Sequence, residues 1–289
     1  MRHASSLILG LIPLAICLVS CSGTRAVSDA AFLHSEESGA SISASTGHTL
    51  AELTQKAHTG VTLSNDAIVR GSRTYSVPIL MYHYIRPMPG PKDKLGIDLT
   101  VTPETFSHQL DILQTKGYHT ISFADLANTG SALPLKPIIL TFDDGYQDAF
   151  DHAFPALMAH HMTATFYIIT GFVGKPNYAT WDELQKMSGS GMEMGAHTVH
   201  HLDLRKLPPA KQTQEIVDSI QAIRDTLHVP VQSLAYPAGR YIAETMKITK
   251  KTGLPFAVTT HLGVAKNTMN QMQLPRVRIN DMTNFEKVF

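Results

Sequence analysis

The sequence predicts an α/β fold, and a distorted (β/α) barrel with seven or eight parallel strands suits its pattern best. From Tyr75 onward, short apolar segments alternate with amphipathic helical segments. Some of these apolar segments are continuous, such as Lys136–Phe142, as expected for strands covered on both faces. Alternation of strands and helices is typical of a parallel sheet with helices packed against it. An open doubly wound sheet is the alternative.

The expected elements follow in order along the chain. Strands are expected at Val77–Tyr82, His119–Ser122, Lys136–Phe142, Ala164–Ile169, Met192–Ala196, Leu234–Tyr236, Phe256–Thr259 and Leu274–Ile279. The helices are indicated by capping residues at their starts and apolar residues at helical spacing. They are expected from Thr102 to Gly117, Asp148 to His160, Thr180 to Gly191, Pro209 to Leu227 and Ile242 to Thr252, with a weaker one around Leu50–Ala57.

The first 20 residues have the form of a lipoprotein signal peptide. Arg2 and His3 precede an apolar run, Leu7–Val19, which is too short to span a bilayer comfortably. The run ends in Leu-Val-Ser-Cys21, which resembles the lipobox of bacterial lipoproteins. That resemblance implies export, lipidation of Cys21 and attachment to a membrane of the cell envelope, at its periplasmic or extracellular face. An ordinary signal peptide and an uncleaved anchor are the alternatives.

Residues 21–74 are expected to be a flexible tether, followed by the folded domain at 75–289. Between Ser22 and Thr49, 18 of 28 residues are Ser, Thr, Gly or Ala. Of the two cysteines, Cys17 lies in the segment expected to be removed, so the mature chain can form no internal disulfide.

Charge and motifs argue against two classes of partner. Lys+Arg and Asp+Glu both number 24, and this balance argues against non-specific binding of nucleic acid. Neither G-x-G-x-x-G nor G-x-x-x-x-G-K occurs, so nucleotide binding has no support.

Polar residues with metal-binding chemistry follow two of the expected strands. Asp143 and Asp144 end the Lys136–Phe142 strand, where burying two adjacent carboxylates is costly unless a cation lies near. His197 and His201 follow the next strand but one, four residues apart. Thr198 stands where a zincin needs Glu, which excludes that class. Two imidazoles and one carboxylate form the ligand set of a catalytic zinc.

Three further histidines follow expected strands within a few residues. His83 ends the first strand and is a candidate general acid, and His261 is a weaker rival. His200, beside His201, is expected to point elsewhere.

The ordered segments ILMYH, LTFDDGY, TWDEL, MGAHTVHH, AYPAGRY and LPRVRI resemble the polysaccharide deacetylase (NodB-homology) family, carbohydrate esterase family four. The similarity runs from about Val77 to Ile279, and the opening strand is similar to that of the permuted branch with biofilm poly-N-acetylglucosamine deacetylases. The resemblance implies that Asp143 is the catalytic base, that Asp144, His197 and His201 bind the metal, and that the backbone N–H of Tyr146 helps to form the oxyanion hole.

Two departures from the family pattern affect further roles. The C-terminal L-x-H motif is missing, and the permuted branch implies His83 as the acid instead. An Arg-containing motif is replaced by Tyr236-Pro237-Ala238-Gly239, so Arg276 or Arg278 is expected to orient the base, with Asp182 assisting. The resemblance makes Trp181 and Tyr236 walls of a sugar-binding groove, whereas ordinary packing is the alternative.

The expected activity is metal-dependent hydrolysis of N-acetyl groups on a GlcNAc-containing polysaccharide. Zinc is the expected metal, although Co²⁺, Ni²⁺ and Mn²⁺ suit similar ligands. Peptidoglycan, chitin oligomers and acetylated xylan are alternative substrates, and a non-catalytic glycan-binding lipoprotein is the alternative function.

Overall fold

The computed structural model describes residues 74–128 and 130–288. Several predictions fall on residues outside the described ranges: the signal peptide, the lipidation of Cys21, the absence of an internal disulfide, the helix at Leu50–Ala57 and almost all of the tether. Within the part of the chain that the structure describes, no helix is both long enough and apolar enough to cross a membrane.

Twelve strands and eight α-helices make up the described chain. The strands are β1 (Ser76–Val77), β2 (Ile79–Tyr82), β3 (Tyr84–Ile85), β4 (Thr100–Val101), β5 (His119–Thr120), β6 (Pro137–Phe142), β7 (Thr165–Ile168), β8 (Glu193–Ala196), β9 (Ser233–Ala235), β10 (Phe256–Leu262), β11 (Ala265–Lys266) and β12 (Leu274–Arg278). The helices are α1 (Lys94–Leu99), α2 (Pro103–Thr115), α3 (Phe123–Ala127), α4 (Phe154–Ala159), α5 (Trp181–Gly189), α6 (Pro209–Leu227), α7 (Ala243–Lys251) and α8 (Phe285–Val288). A π-helical turn, Ala149–Ala153, precedes α4.

Seven of these strands close into a parallel barrel. Their order is β2-β12-β10-β9-β8-β7-β6, and β6 pairs again with β2, from Ile79 opposite Ile139 to Tyr82 opposite Phe142. The short strand β5 pairs with the first two residues of β6 as an eighth parallel strand. The barrel is distorted, since the β10–β12 register shifts and β8 and β9 share a single residue pair. The predicted fold class is therefore confirmed, and the open sheet is excluded.

The alternation of side chains along each strand separates the barrel interior from the outer core. In β6, Ile138, Leu140 and Phe142 pack outward beneath the helices. Ile139 points the other way and shares a cluster with Ile79, Tyr167, Val258 and Leu274. This apolar layer fills the barrel. Polar side chains that follow on the same face of a strand therefore lie near the carboxyl ends of the strands. That end is called the barrel mouth below.

Capping residues define the helix starts that the sequence predicts. Thr102 accepts a hydrogen bond from the backbone of Thr105 at the start of α2, and Thr180 forms a capping box with Glu183 at the start of α5. The helix α6 spans the predicted residues, Pro209–Leu227. The helix expected over Asp148–His160 begins as the π turn, which continues into α4.

At the opposite end of the barrel from the mouth, Glu193 links β8 to α3. Its Oε2 accepts the backbone N–H of Ala124 at 2.8 Å, and its Oε1 accepts the hydroxyl of Thr165 at 3.1 Å. Burial outweighs these hydrogen bonds and raises the pKa of Glu193 to about 7.

This raised pKa makes a prediction about stability. Because the folded state binds the proton of Glu193 more tightly than the unfolded state, stability falls as pH rises from about 4.3 to about 7. The variant Glu193→Gln lacks this titrating group. We expect the wild type to lose about 3 kcal/mol of unfolding free energy relative to the variant when the pH is raised from 4 to 8. Urea denaturation at several pH values measures this difference, and a difference independent of pH would contradict the prediction.

Candidate active site

The two adjacent aspartates at the end of β6 point in different directions. Asp143 continues the inward-facing series of Ile139 and Thr141, so its side chain enters the top of the barrel interior. Asp144 adopts a left-handed backbone conformation, with φ 77°, and Gly145 follows with φ 76°. The left-handed residue turns the chain away from the strand direction, and the carboxyl groups therefore meet different partners.

The partner of Asp143 is Arg276, from the inward face of β12. Nη1 and Nη2 of Arg276 donate hydrogen bonds to Oδ1 and Oδ2 of Asp143, both at 2.7 Å. Nη1 also donates to the hydroxyl of Thr141 at 3.0 Å, and Nε donates to the carbonyl of Thr259 at 2.9 Å. Arg276 is 1% exposed, so this is a fully buried bidentate ion pair.

This ion pair determines the protonation of Asp143. Burial alone would raise the pKa of Asp143, but the guanidinium of Arg276 outweighs it and holds that pKa well below its usual range. Asp143 is consequently ionised at all physiological pH values. Of the two arginines considered from the sequence, Arg276 is the one that binds this carboxylate. Arg278, two residues further on the same strand face, is exposed and makes no ion pair with a described residue.

Asp144 lies beside the two imidazoles of the H-T-x-x-H segment. Its Oδ1 is 3.4 Å from Nε2 of His197 and 3.5 Å from Nε2 of His201. One ligand atom from each of the three residues lies within 4.8 Å of the others. A carboxylate oxygen and two imidazole nitrogens match the donors that zinc takes in catalytic sites, and three ligands leave a coordination position open for water or substrate. The residues present therefore fit a divalent metal ion.

The orientation of His197 is determined by the backbone of a neighbouring strand. Its Nδ1 lies 2.7 Å from the carbonyl oxygen of Ala235, at the end of β9. A proton on Nδ1 satisfies this carbonyl, so Nε2 faces Asp144. Burial would lower the pKa of His197, but the hydrogen bond to Asp144 and the charges of both aspartates outweigh it and raise the pKa above its usual value. Asp144 and His197 thus stabilise each other's charged forms.

The loop that carries the imidazoles has a strained backbone. Thr198 and His201 both have positive φ values, 65° and 55°. Left-handed conformations cost non-glycine residues roughly 1–2 kcal/mol each. The N–H groups of Thr170 and Gly171 donate to the carbonyls of Thr198 and Val199 at 3.2 and 2.9 Å. Gly171 permits this approach, because a Cβ there would lie 2.5 Å from the carbonyl oxygen of Val199.

His83 lies at the same barrel mouth. Its Nε2 is 3.8 Å from Oδ2 of Asp143, and its buried Nδ1 has no hydrogen-bond partner among the described residues. Burial lowers the pKa of His83 more than the two aspartates raise it, so the neutral imidazole is the resting form at neutral pH. His261 is exposed and makes no ion pair with a described acid; its ring centroid lies 6.2 Å from that of Tyr241. Of the two candidate acids, the structure brings only His83 to Asp143.

Tyr146 belongs to a stack of aromatic rings beside the aspartates. Its ring lies 4.2 Å from that of Tyr84, whose hydroxyl donates to the Tyr146 hydroxyl at 2.8 Å, and 5.1 Å from the ring of Tyr178. The guanidinium of Arg86 covers the ring of Tyr84 at 3.6 Å. Burial and the charge of Asp144 raise the pKa of Tyr146. This packing immobilises the residue whose backbone N–H is the expected oxyanion donor. Tyr84 is not among the site residues predicted from the sequence, although it directly follows His83.

The expectation that Tyr236 forms a groove wall is wrong. Tyr236 is 0% exposed, its hydroxyl donates to the carbonyl of Met272 at 2.9 Å, and its ring stacks on Tyr241. A side chain buried in this way cannot stack on a sugar, so the packing alternative holds.

The remaining candidates lie further from the aspartates. Trp181 is half-buried against the main core, and its contact with a sugar stays a prediction. Asp182 is exposed, and its carboxyl has no hydrogen-bond or ion-pair partner in the described chain, so no contact supports its assistance to the base. His200 faces away from the metal ligands, towards Glu215, as expected.

Comparison with known proteins identifies relatives of the chain. The family model described as polysaccharide deacetylase matches residues 130–257. YxkH of Bacillus subtilis (strain 168), assigned by name to the polysaccharide deacetylases, is 33% identical over 217 residues, which cover 74% of this chain and 75% of that protein. The Streptococcus pyogenes deacetylase PplD, solved in complex with acetate, is 32% identical with a TM-score of 0.69, over 74% of this chain and 96% of that one.

A third relative is more distant. The poly-β-1,6-N-acetyl-D-glucosamine N-deacetylase of Staphylococcus aureus (strain MSSA476) is 26% identical over 162 residues. The alignment covers 51% of this chain and 56% of that protein.

The buried pair of Asp143 and Arg276 generates a prediction about folding. Replacing Arg276 with Met leaves a buried carboxylate without its cation, and we expect a loss of about 3–5 kcal/mol in the free energy of unfolding. The double variant Asp143→Asn/Arg276→Met should recover part of that loss, because the uncompensated charge is gone. Urea denaturation measures all three proteins. Arg278→Met is the matched control and should change stability by about 0.5 kcal/mol or less; an equal loss in both arginine variants would contradict the assignment.

Proposed function

The chain belongs to the polysaccharide deacetylase family, and we propose that it removes N-acetyl groups from a polysaccharide containing N-acetylglucosamine, with a bound divalent metal ion. Hydrolysis of the amide releases acetate and leaves a free amine on the sugar. The observation that carries this proposal is the position of an ionised carboxylate, Asp143, beside three converging metal-ligand side chains. The family membership favours an enzyme over the non-catalytic alternative, and the polymer and the metal are the open parts of the proposal.

The choice of polymer rests on one relative and one sequence feature. The Staphylococcus aureus relative is named for action on poly-β-1,6-N-acetyl-D-glucosamine. The opening segment, Pro78 to Ile85, is similar to that of the permuted biofilm-deacetylase branch. In this chain it contains β2, which closes the barrel and is followed directly by His83. Peptidoglycan, chitin oligomers and acetylated xylan are the competing substrates.

We assign Asp144, His197 and His201 as the residues that hold the metal, with zinc as the expected ion. A bound divalent ion would polarise the amide carbonyl and make water more acidic. The three side chains contribute one negative charge, and the carbonyl of Ala235 keeps His197 oriented for binding. Protons compete with the metal for the imidazoles, and the raised pKa of His197 favours the proton, so metal affinity should weaken as pH falls.

The proton transfers fall to Asp143 and His83. Asp143 is ionised and oriented by Arg276, so its carboxylate can take a proton from the attacking water. Its low pKa means that the proton does not remain there, and Nε2 of His83 is 3.8 Å away. His83, neutral at rest, would then receive that proton and donate it to the leaving amine. The backbone N–H of Tyr146 would stabilise the oxyanion, an interaction worth about 10²–10³ in rate in other hydrolases.

The cell envelope is the proposed location. The apolar run that ends at Cys21 supports export and lipid attachment, and the Ser/Thr/Gly/Ala-rich segment after it supports a tether long enough to let the catalytic domain reach a polymer.

Acetate release from a panel of polymers tests the substrate and the residue roles together. We expect the wild type to release acetate from poly-β-1,6-N-acetylglucosamine faster than from peptidoglycan, chitin oligomers or acetylated xylan. Asp143→Asn should retain one metal ion per chain and lose at least about 10²-fold in kcat, because base catalysis contributes 10²–10⁴. His201→Ala should lose the metal, because it removes one of three ligands. Metal content is measured by elemental analysis.

The exposed histidine His261 supplies the matched control. His261→Ala should keep both metal and turnover, whereas His83→Ala should keep the metal and lose turnover. Near-normal turnover in Asp143→Asn would refute its role as the base, and faster release from another polymer would reassign the substrate.

A further inference from the structure

A buried acid from α6 lies behind the loop that carries the two imidazoles. Glu215 is 1% exposed. Its Oε2 accepts the backbone N–H of His200 at 2.9 Å, and its Oε1 lies 2.8 Å from Nδ1 of the same residue. The reaction proposed above makes no use of Glu215. A Glu so deeply buried is uncommon unless its carboxyl group is satisfied by specific partners.

The hydrogen bonds around the loop show what Glu215 adds. The carbonyls of Thr198 and Val199 are bound by the N–H groups of Thr170 and Gly171, from the turn after β7. The N–H of His201 is bound by the hydroxyl of Thr198 at 3.0 Å. The N–H of His200 is bound by Glu215 alone among the described residues. The turn after β7 therefore holds the loop through two carbonyls, and Glu215 of α6 holds it through the amide and the ring of His200.

The held amide is adjacent to a metal-ligand residue with a left-handed backbone. His201 has φ 55°, and its Nε2 lies 3.5 Å from Oδ1 of Asp144. This distance depends on the backbone conformation of the loop. Without a partner for the His200 amide, relaxation of the strained backbone would move the His201 ring away from Asp144. His197, in contrast, is held independently by the carbonyl of Ala235.

We propose that Glu215 is a positioning residue of the metal site, which holds the His201 imidazole in its metal-binding orientation before the ion arrives. The hold acts through the hydrogen bond to the His200 amide, and the His200 ring is secondary. The inference rests on the proposed function in that it takes Asp144, His197 and His201 as metal ligands. Supporting residues behind metal ligands typically contribute 10–100-fold in metal affinity.

Three variants separate this role from simple packing. Glu215→Met keeps a side chain of similar length but has no oxygen to accept the N–H of His200. His200→Ala removes the ring and preserves the backbone amide bond. Glu244→Gln, on α7, removes a partly exposed acid whose one ion pair within the described chain is with Lys247, and it serves as the matched control. The affinity for Zn²⁺ is measured by competition with a chromophoric chelator, and the exchange rate of the His200 amide hydrogen is measured by NMR in the metal-free full-length protein.

We expect Glu215→Met to weaken Zn²⁺ binding 10–100-fold and to accelerate exchange of the His200 amide at least tenfold, with a thermal midpoint that still shows a cooperative fold. His200→Ala and Glu244→Gln should both bind Zn²⁺ within threefold of the wild type. A Glu215→Met protein within twofold of the wild type in both measurements would overturn the inference, and so would an equal loss in His200→Ala. Failure of the wild type to bind Zn²⁺ would refute the proposed function, whereas amide exchange tests the hold of Glu215 on the loop without metal.

Discussion

The site depends on keeping two adjacent, buried carboxylates ionised while they face different cations. Asp143 is neutralised by the bidentate guanidinium of Arg276, and Asp144 faces the imidazoles of His197 and His201. Desolvation would otherwise push both pKa values upward, and mutual repulsion would add to the cost. The left-handed backbone of Asp144 separates the two side chains. This separation leaves one carboxylate available as a base and the other available as a metal ligand.

Closure of the barrel brings these partners together from distant parts of the chain. The aspartates follow β6 and the histidines follow β8, the two strands that flank β7. Arg276 enters from β12 and His83 from β2, and both reach Asp143 because β12 pairs with β2, which pairs with β6. Parallel strands place all their carboxyl ends at one mouth, as in other α/β barrels. An open sheet would leave β2 and β6 apart and would separate His83 from the base.

The sequence predicted the fold class because its apolar runs and helix caps are local signals. It also indicated which acids and imidazoles share one mouth, since each directly follows a strand. The sequence left the choice between Arg276 and Arg278 open, because both lie on the same face of β12 and differ only in depth inside the barrel. That depth follows from the register between strands, which has no local signature.

The remaining differences have similar physical causes. Tyr236 was misassigned because an aromatic residue at a strand end can face the core or a groove, and only the packing of Met272 and Tyr241 decides. The group that orients His197 is the backbone carbonyl of Ala235. Every residue has such a carbonyl, so the sequence does not identify this one. Glu215 had a detectable signal, a Glu in the buried stripe of α6 beside Ile216, but only the structure shows that it contacts the imidazole loop.

The central claim is that Asp144 binds the metal while Asp143 remains the base. Anomalous scattering at the zinc edge from crystals grown with Zn²⁺ would test it most directly. A single anomalous peak bound by Oδ1 of Asp144 and Nε2 of His197 and His201, with Asp143 still in its bidentate pair with Arg276, is the predicted result. A zinc ion that draws Asp143 away from Arg276 into its coordination sphere, or that binds elsewhere while these three side chains hold none, would contradict it.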